Sequence, residues 1–158
     1  MKIILVFFSL LLTTKCLADS HNVELIFSGE MKVKSVVVNK DKFQVIDLDG
    51  ITSITKSSFS IFPVNSLTAR KCVIYNKNEN GKASLEGTCL GEDSDGDTFS
   101  TTLSRKGMIG KTGSGGVETY IGLTGKYSGL TRKCDYTVKF INTDKLFAVA
   151  YNKCNLVK

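Results

Sequence analysis

The sequence is poor in the residues on which several enzyme and linker signatures depend. It has one histidine, His21, and one proline, Pro63, among 158 residues. A single histidine disfavours a Ser-His-Asp or Cys-His catalytic constellation and leaves no histidine-plus-cysteine spacing for zinc. The sequence also has no Cys-x-x-Cys motif, internal repeat or low-complexity tract. We therefore expect one domain, with no metal and no cofactor.

Long hydrophobic runs are also scarce, and the one that exists lies at the N-terminus. The apolar segment 3–12 follows Met1-Lys2 and precedes Cys16-Leu17-Ala18. A basic start, a short apolar core and small residues at the −3 and −1 positions predict a secretory signal cleaved after Ala18. A transmembrane helix needs about 20 apolar residues, which this run does not supply. We therefore expect a signal peptide over 1–18, a domain over 19–158 in the periplasm or the medium, and no transmembrane segment.

Cysteine use agrees with export. Lys15 precedes Cys16, whereas bacterial lipid-attachment signals carry a small residue there, so Cys16 is expected to leave with the signal peptide. An even number of cysteines remains, as in proteins whose disulfides persist in oxidising compartments. These four are Cys72, Cys89, Cys134 and Cys154.

The charge pattern argues against nucleic acid as a partner. The chain has 21 basic and 15 acidic residues, and most of the basic residues are scattered lysines. No basic run alternates with aromatic residues as in a nucleic-acid surface. The positive excess fits solvated lysines or, alternatively, a weakly basic face for an acidic partner.

Apolar residues recur with a period of two along most of the chain. In the clearest run Cys134, Tyr136, Val138 and Phe140 alternate with Asp135, Thr137 and Lys139. This alternation is typical of half-buried antiparallel strands. Eight or more short strands separated by turns predict an all-β fold, either a closed barrel or a β-sandwich.

Turn-forming residues separate the predicted strands and suggest how the cysteines pair. The predicted turns are at Ser28-Gly29, Asn39–Asp41, Asp49-Gly50, Asn78–Gly81, Ser94–Asp97 and Asn142–Asp144. Cys72 and Cys89 lie almost symmetrically about the turn at 78–81, and Cys134 and Cys154 about residues 142–145. Facing residues on antiparallel strands are close enough for a disulfide. We therefore predict the pairs Cys72–Cys89 and Cys134–Cys154.

The acidic run 92–97 has some features of a calcium loop. Asp93, Asp95 and Asp97 have the spacing of EF-hand positions 1, 3 and 5, but positions 6 and 12 are Thr98 and Ser104. Those positions call for glycine and glutamate, so an EF-hand is rejected. The three aspartates remain weak calcium candidates, with a polar turn between strands as the other interpretation.

The glycine-rich segment 113–129 does not match a phosphate-binding loop. Tyr120 stands where the first glycine of that motif belongs, and Tyr127 replaces the serine or threonine that follows its lysine. No βαβ pattern surrounds the segment, so a dinucleotide-binding fingerprint is rejected as well.

Three motifs taken together resemble a known group of proteins. They are Cys72…Gly87-x-Cys89, the Asp-x-Asp-Gly-Asp turn at 93–97, and Gly122-Leu-Thr-Gly-Lys-Tyr-Ser-Gly129. This order is similar to that of small secreted bacterial proteins related to the allene oxide cyclase and dirigent barrels. The resemblance implies an eight-stranded antiparallel barrel with a tight crossing at 125–129. Residues 130–134 depart from the expected glycine-rich continuation, and no catalytic residue of the plant cyclases maps onto this chain.

The sequence favours a non-catalytic binding protein over an enzyme. An eight-stranded barrel has room for side chains or for one small apolar ligand, and its surface can bind a protein partner. A secreted effector or inhibitor would be one such protein. The alternative is a cyclase- or isomerase-like enzyme that acts on a lipid-like substrate through a carboxylate or a phenol. The available phenols are Tyr75, Tyr120, Tyr127, Tyr136 and Tyr151. A structural envelope protein is a third possibility.

Overall fold

A computed structural model describes residues 22–80, 82–106 and 114–157. Eight antiparallel strands pair in chain order, and β1 pairs with β8 to close a barrel. This confirms the barrel rather than the sandwich. The strands are β1 (Asn22–Val38), β2 (Asp41–Ser57), β3 (Leu67–Glu79), β4 (Lys82–Asp93), β5 (Thr98–Lys106), β6 (Ser114–Gly122), β7 (Thr131–Asn142) and β8 (Leu146–Val157), with a 3₁₀ turn at Gly125–Tyr127. Across this part of the chain no helix is long and apolar enough to span a membrane. The predicted signal peptide, 1–18, and His21 lie outside the described residues.

Side chains alternate between the barrel interior and the solvent, as the period of two predicts. In β7, Arg132, Cys134, Tyr136 and Val138 are buried, and the residues between them are exposed. Alternation in the other strands likewise directs side chains into the interior.

The first two strands are longer than the sequence predicts. The turns expected at Ser28-Gly29 and Asp49-Gly50 are wrong, because both lie inside strands and Gly29 pairs with Gly50. A Cβ atom on Gly50 would lie 2.3 Å from the backbone oxygen of Ser28 and 2.5 Å from the Gly29 Cα. The glycines therefore permit a close approach of two backbones rather than a reversal of the chain.

Two disulfides join neighbouring strands. Cys72 in β3 is bonded to Cys89 in β4, and Cys134 in β7 to Cys154 in β8. In each case the cysteines occupy directly paired positions of the ladder, as the turn positions predict. Loops of this length correspond to roughly 3 kcal/mol of stabilisation per bond in the chain-entropy model.

The interior contains two apolar clusters, one toward each end of the barrel. The cavity half comprises Phe27, Met31, Ile46, Leu48, Cys72, Ile74, Leu85, Cys89, Val138 and Ala148. The plugged half comprises Val23, Leu25, Ile54, Phe62, Phe99, Tyr120, Tyr127, Cys134 and Cys154. The cavity half lies toward the β1–β2, β3–β4 and β7–β8 turns, and the plugged half toward the β2–β3, β4–β5 and β6–β7 loops.

Candidate functional site

A group of hydrogen-bonded polar side chains, here called the polar layer, lies between the two halves. It consists of Arg70, Thr101, Glu118 and Tyr120, all buried. Arg70 Nη2 donates to Glu118 Oε1 and, at 2.8 Å, to Thr101 Oγ1, while Arg70 Nη1 donates to Tyr120 Oη at 3.0 Å. The Tyr120 hydroxyl donates to the other Glu118 oxygen at 3.0 Å. Both carboxylate oxygens therefore have a donor, which is what a buried charge requires.

The groups of the polar layer shift the pKa values of Arg70 and Tyr120. Burial acts to lower the pKa of the Arg70 guanidinium, but Tyr120 and Glu118 outweigh it and raise this pKa above its usual value. Burial, opposed by Arg70, raises the pKa of the Tyr120 phenol. At neutral pH the layer therefore contains a guanidinium ion and a neutral phenol.

Two glycines flank Arg70 on the neighbouring strands. Arg70 is paired with Gly50 on one side and with Gly91 on the other. A Cβ atom on Gly91 would overlap the ring of Phe99, and one on Gly50 would overlap the β1 backbone, so the glycines admit these neighbours. The Arg70 side chain itself reaches Glu118 on β6.

Beyond the polar layer, the cavity half contains a partly open cavity. The cavity has a volume of about 70 Å³, on a measure by which one water molecule needs about 10–15 Å³. Its wall is mostly aliphatic and aromatic, and the polar contributors are few. They are Arg70, Arg105, Glu118, Tyr136 and Asn152.

Arg70 and Asn152 each have a buried side-chain atom without a hydrogen-bond partner in the described chain. The atoms are Arg70 Nε, a donor, and Asn152 Oδ1, an acceptor. Burial also lowers the pKa of the Arg105 guanidinium and raises that of the Tyr136 phenol to about 12. The cavity is therefore apolar, with hydrogen-bonding capacity at a few defined points.

The opposite end of the interior is filled by side chains from two loops. Phe62, from the β2–β3 loop, stacks on Tyr127, from the β6–β7 loop, with ring centroids 5.8 Å apart. The Arg132 guanidinium lies between the rings of Phe62 and Tyr120, 4.2 and 4.4 Å from their centroids. This cation–π sandwich leaves a space of only about 10 Å³.

The three aspartates proposed as weak calcium candidates lie around a lysine. Lys126 Nζ is 2.6 Å from an oxygen of Asp93 and 2.6 Å from one of Asp95, and Asp97 accepts from the Lys126 backbone N–H. Asp93 also accepts from Tyr127 Oη at 2.9 Å. No group of three or more metal-ligating side chains is found within the described ranges. In this arrangement the lysine supplies the positive charge that a cation would supply.

The Asp-x-Asp-Gly-Asp turn and the Gly-Lys-Tyr segment, which were matched separately in the sequence, are thus one interacting unit. Gly125 and Gly129 have positive φ angles of 50° and 74°, which favour glycine. A Cβ atom on Gly125 would overlap the Asp97 carboxylate. The glycines allow the 125–129 segment to lie against the acidic turn and to hold the Tyr127 side chain in the plugged half.

The phenols separate into two groups. Tyr75 and Tyr151 are exposed on the outer face, while Tyr120, Tyr127 and Tyr136 are buried in the interior. Of the buried three, only Tyr136 lines the cavity.

All three arginines of the chain are buried, which the sequence reasoning missed. Arg70, Arg105 and Arg132 are 3%, 5% and 6% exposed. Each lies two positions along its strand from an inward-facing residue, so alternation places it on the inward face as well. These residues are, respectively, Cys72, Leu103 and Cys134. The sequence therefore did contain a signal for these buried arginines: each stands where strand alternation predicts an inward-facing apolar residue. Glu118 has the same relation to Tyr120, but this signal was weaker because Val117 and Ile121 place apolar residues on the opposite face of β6 as well.

The outer face of the barrel also has apolar side chains. A groove of about 580 Å³ crosses strands β3 to β6. It is larger than the interior cavity but lies on the surface of the sheet, so a bound group would stay partly in water. The exposed residues beside it include Val73, Tyr75 and Val117.

No protein-family model matches this sequence, and no curated protein matches it. The relationship to allene oxide cyclase and dirigent barrels stays a prediction. The geometry of the interior is the basis for a functional proposal.

Proposed function

We propose that this protein is an exported, disulfide-stabilised β-barrel that binds a small apolar ligand in its cavity half and does not catalyse a reaction. The cavity carries the proposal: a concave, mainly apolar space inside the barrel, beside a set of fixed polar groups, is typical of small-molecule sites. The plugged half, built on the same strands, has almost no free space. The cavity is therefore not a general consequence of the barrel.

The state of the ionisable groups supports a binding role. Tyr136, the phenol in the cavity wall, has its pKa raised to about 12 by burial and is neutral at pH 7. The Glu118 carboxylate accepts hydrogen bonds from Arg70 and Tyr120 on its two oxygens. These contacts hold the carboxylate against a guanidinium and a phenol of the protein itself, as in a structural ion pair.

Two observations support export. The disulfides Cys72–Cys89 and Cys134–Cys154 are of a kind that persists in oxidising compartments. The segment 1–18 has the composition of a signal peptide. Intact-mass analysis of the protein from its native source should give a chain that begins at Asp19 and has no free thiol. A chain that retains residues 1–18 and has five free thiols would contradict export.

Ligand binding can be tested with toluene and a pair of matched variants. Ala150 lines the cavity, and Ala150→Leu would place added carbon atoms there. The control is Val149→Leu, which adds a methylene group at the neighbouring position outside the cavity lining. We expect wild type and Val149→Leu to bind toluene in calorimetric titrations, and Ala150→Leu to lose at least about tenfold in affinity, since the ligand and the new side chain compete for space. Equal binding by all three proteins would place the toluene elsewhere.

A second function, a cyclase or isomerase acting on a lipid-like substrate, is favoured by one observation. Glu118 places a carboxylate in the cavity wall. The test is incubation of the purified protein with a fatty-acid epoxide as a lipid-like probe, followed by mass spectrometry and chromatography. Unchanged ligand supports binding alone, and conversion to an isomer would replace the binding proposal with catalysis.

A further inference from the structure

We propose that the ligand of this cavity carries a hydroxyl group, which accepts a hydrogen bond from Arg70 Nε and donates one to Asn152 Oδ1. This inference rests on the proposed function and defines the chemical class of the ligand. It predicts a compact, neutral, mainly apolar molecule with an alcohol or phenol group at one end.

The first observation is the unsatisfied donor of Arg70. The terminal nitrogens of its guanidinium bind Glu118, Thr101 and Tyr120, but Nε–H has no partner in the parts of the chain that the structure describes. The side chain is only 3% exposed and lines the cavity. A buried donor left without an acceptor costs about 1–3 kcal/mol, so this position favours an oxygen from a ligand or from water.

The second observation is the unsatisfied acceptor of Asn152. Its Nδ2 donates to the backbone oxygen of Ala150 at 3.3 Å, which fixes the orientation of the amide. Oδ1 is therefore the atom without a partner in the described residues, and it is buried in the cavity wall. This position favours a donor.

The two side chains lie at the end of the cavity that adjoins the plugged half. Asn152 stands on β8 between Ala150, which lines the cavity, and Cys154, which belongs to the plugged half. Arg70 lines the same cavity and bonds to Tyr120 of the plugged half. A donor and an acceptor thus lie at the same end of the apolar space.

A hydroxyl group is the simplest group that both accepts and donates. A carboxylate offers no proton to Asn152 and adds negative charge near Glu118. An ammonium group offers no lone pair to Arg70 and adds positive charge near it. A hydrocarbon leaves both protein atoms unsatisfied. A water molecule held there would be displaced by a hydroxyl that makes the same hydrogen bonds.

Toluene, phenol and benzoate form a series of probes of similar size. We expect phenol to bind wild-type protein at least about tenfold more tightly than toluene in calorimetric titrations, because only phenol satisfies both buried atoms. Benzoate should bind more weakly than phenol. Tighter binding of toluene than of phenol would overturn hydroxyl recognition and leave the apolar binding site intact. Tighter binding of benzoate would mean anion recognition, with Arg105 as the nearby cation, and would also overturn the inference. No binding of any probe would overturn both proposals.

Asn152→Leu is the matching variant, since leucine has a similar size and no acceptor. We expect the advantage of phenol over toluene to fall below about threefold, with the affinity for toluene retained. Asn155→Leu, at an exposed position of the same strand, is the control and should keep the wild-type ratio. Thermal unfolding of each variant would confirm that the barrel is intact. An unchanged preference for phenol in folded Asn152→Leu would overturn the role of Asn152.

Discussion

The cavity half and the plugged half are built on the same eight strands and each contains one disulfide, yet only one of them is filled. In the plugged half, loops over 58–66 and 123–130 send Phe62 and Tyr127 back into the interior. In the cavity half, the described connections include the two-residue β1–β2 turn at Asn39-Lys40, which is too short to do so. Inward-facing strand residues alone therefore do not fill this barrel, and side chains from two loops fill one end of it.

The largest effect is expected from breaking the polar layer that separates the halves. Glu118→Leu would leave the buried Arg70 guanidinium without its carboxylate, so we expect the free energy of unfolding to fall by about 3–5 kcal/mol. Urea denaturation measures this loss. The control is Glu24→Ala, which removes an exposed ion pair with Lys56 and should cost no more than about 1 kcal/mol. Equal losses in the two variants would contradict a stabilising polar layer.

A slightly smaller effect is expected from removing the plug. Phe62→Ala takes a fully buried ring from between Tyr127 and Arg132, and should cost about 3–4 kcal/mol of unfolding free energy. Phe140→Ala, which removes a partly buried ring from the cavity wall, should cost less than half as much. If Phe140→Ala proved as costly as Phe62→Ala, the two halves would not differ in packing.

The disulfides should contribute about equally, one in each half. The sequence separations of 17 and 20 residues are similar, so the chain-entropy model predicts roughly 3 kcal/mol for each bond. Urea denaturation can compare the unfolding free energies of two double variants, Cys72→Ala/Cys89→Ala and Cys134→Ala/Cys154→Ala. A difference of more than about 2 kcal/mol between them would mean that packing around the bonds, rather than loop closure, sets their contribution.

The smallest effect concerns the acidic turn that supports the plug. Burial acts to raise the pKa of Asp93, but hydrogen bonds from Lys126, Tyr127 and two backbone amides outweigh it and lower this pKa below its usual value. The stabilisation is therefore fully present above the unfolded pKa of about 3.9 and is lost as the pH falls through the folded value. Urea denaturation from about pH 6 to pH 2 should show this loss in wild type and a shallower slope in Asp93→Asn. Asp144→Asn, in the exposed β7–β8 turn, should keep the wild-type slope, and an equally shallow slope there would contradict the assignment to Asp93.

Much of the fold could be predicted because its signals are local. Alternation marks β7 residue by residue, and the turn positions identify both cysteine pairs. Gly29 and Gly50 misled the prediction, since a glycine that permits close strand approach has the same local sequence as one in a turn. Only the paired backbone on the neighbouring strand distinguishes the two cases.

The candidate site could be predicted only in part, since its contacts are not local. Alternation places Arg70 on the inward face, but its partner Glu118 lies 48 residues away on β6, which does not pair with β3. Contacts across a barrel depend on its closure and diameter, which no local pattern encodes. The packing of the plugged half was unpredictable for the same reason. Phe62 and Tyr127 come from separate loops, and neither follows strand periodicity.

Amide chemical-shift mapping with benzene reports on ligand binding in both halves of the barrel in one titration. We predict shift changes at the backbone amides of the cavity half, including Ile46, Ile74, Val138 and Ala148, and unchanged amides around Phe62, Tyr127 and Arg132. Changes centred on the plugged half or on the outer groove beside Val73 and Val117 would contradict an apolar ligand site inside this barrel.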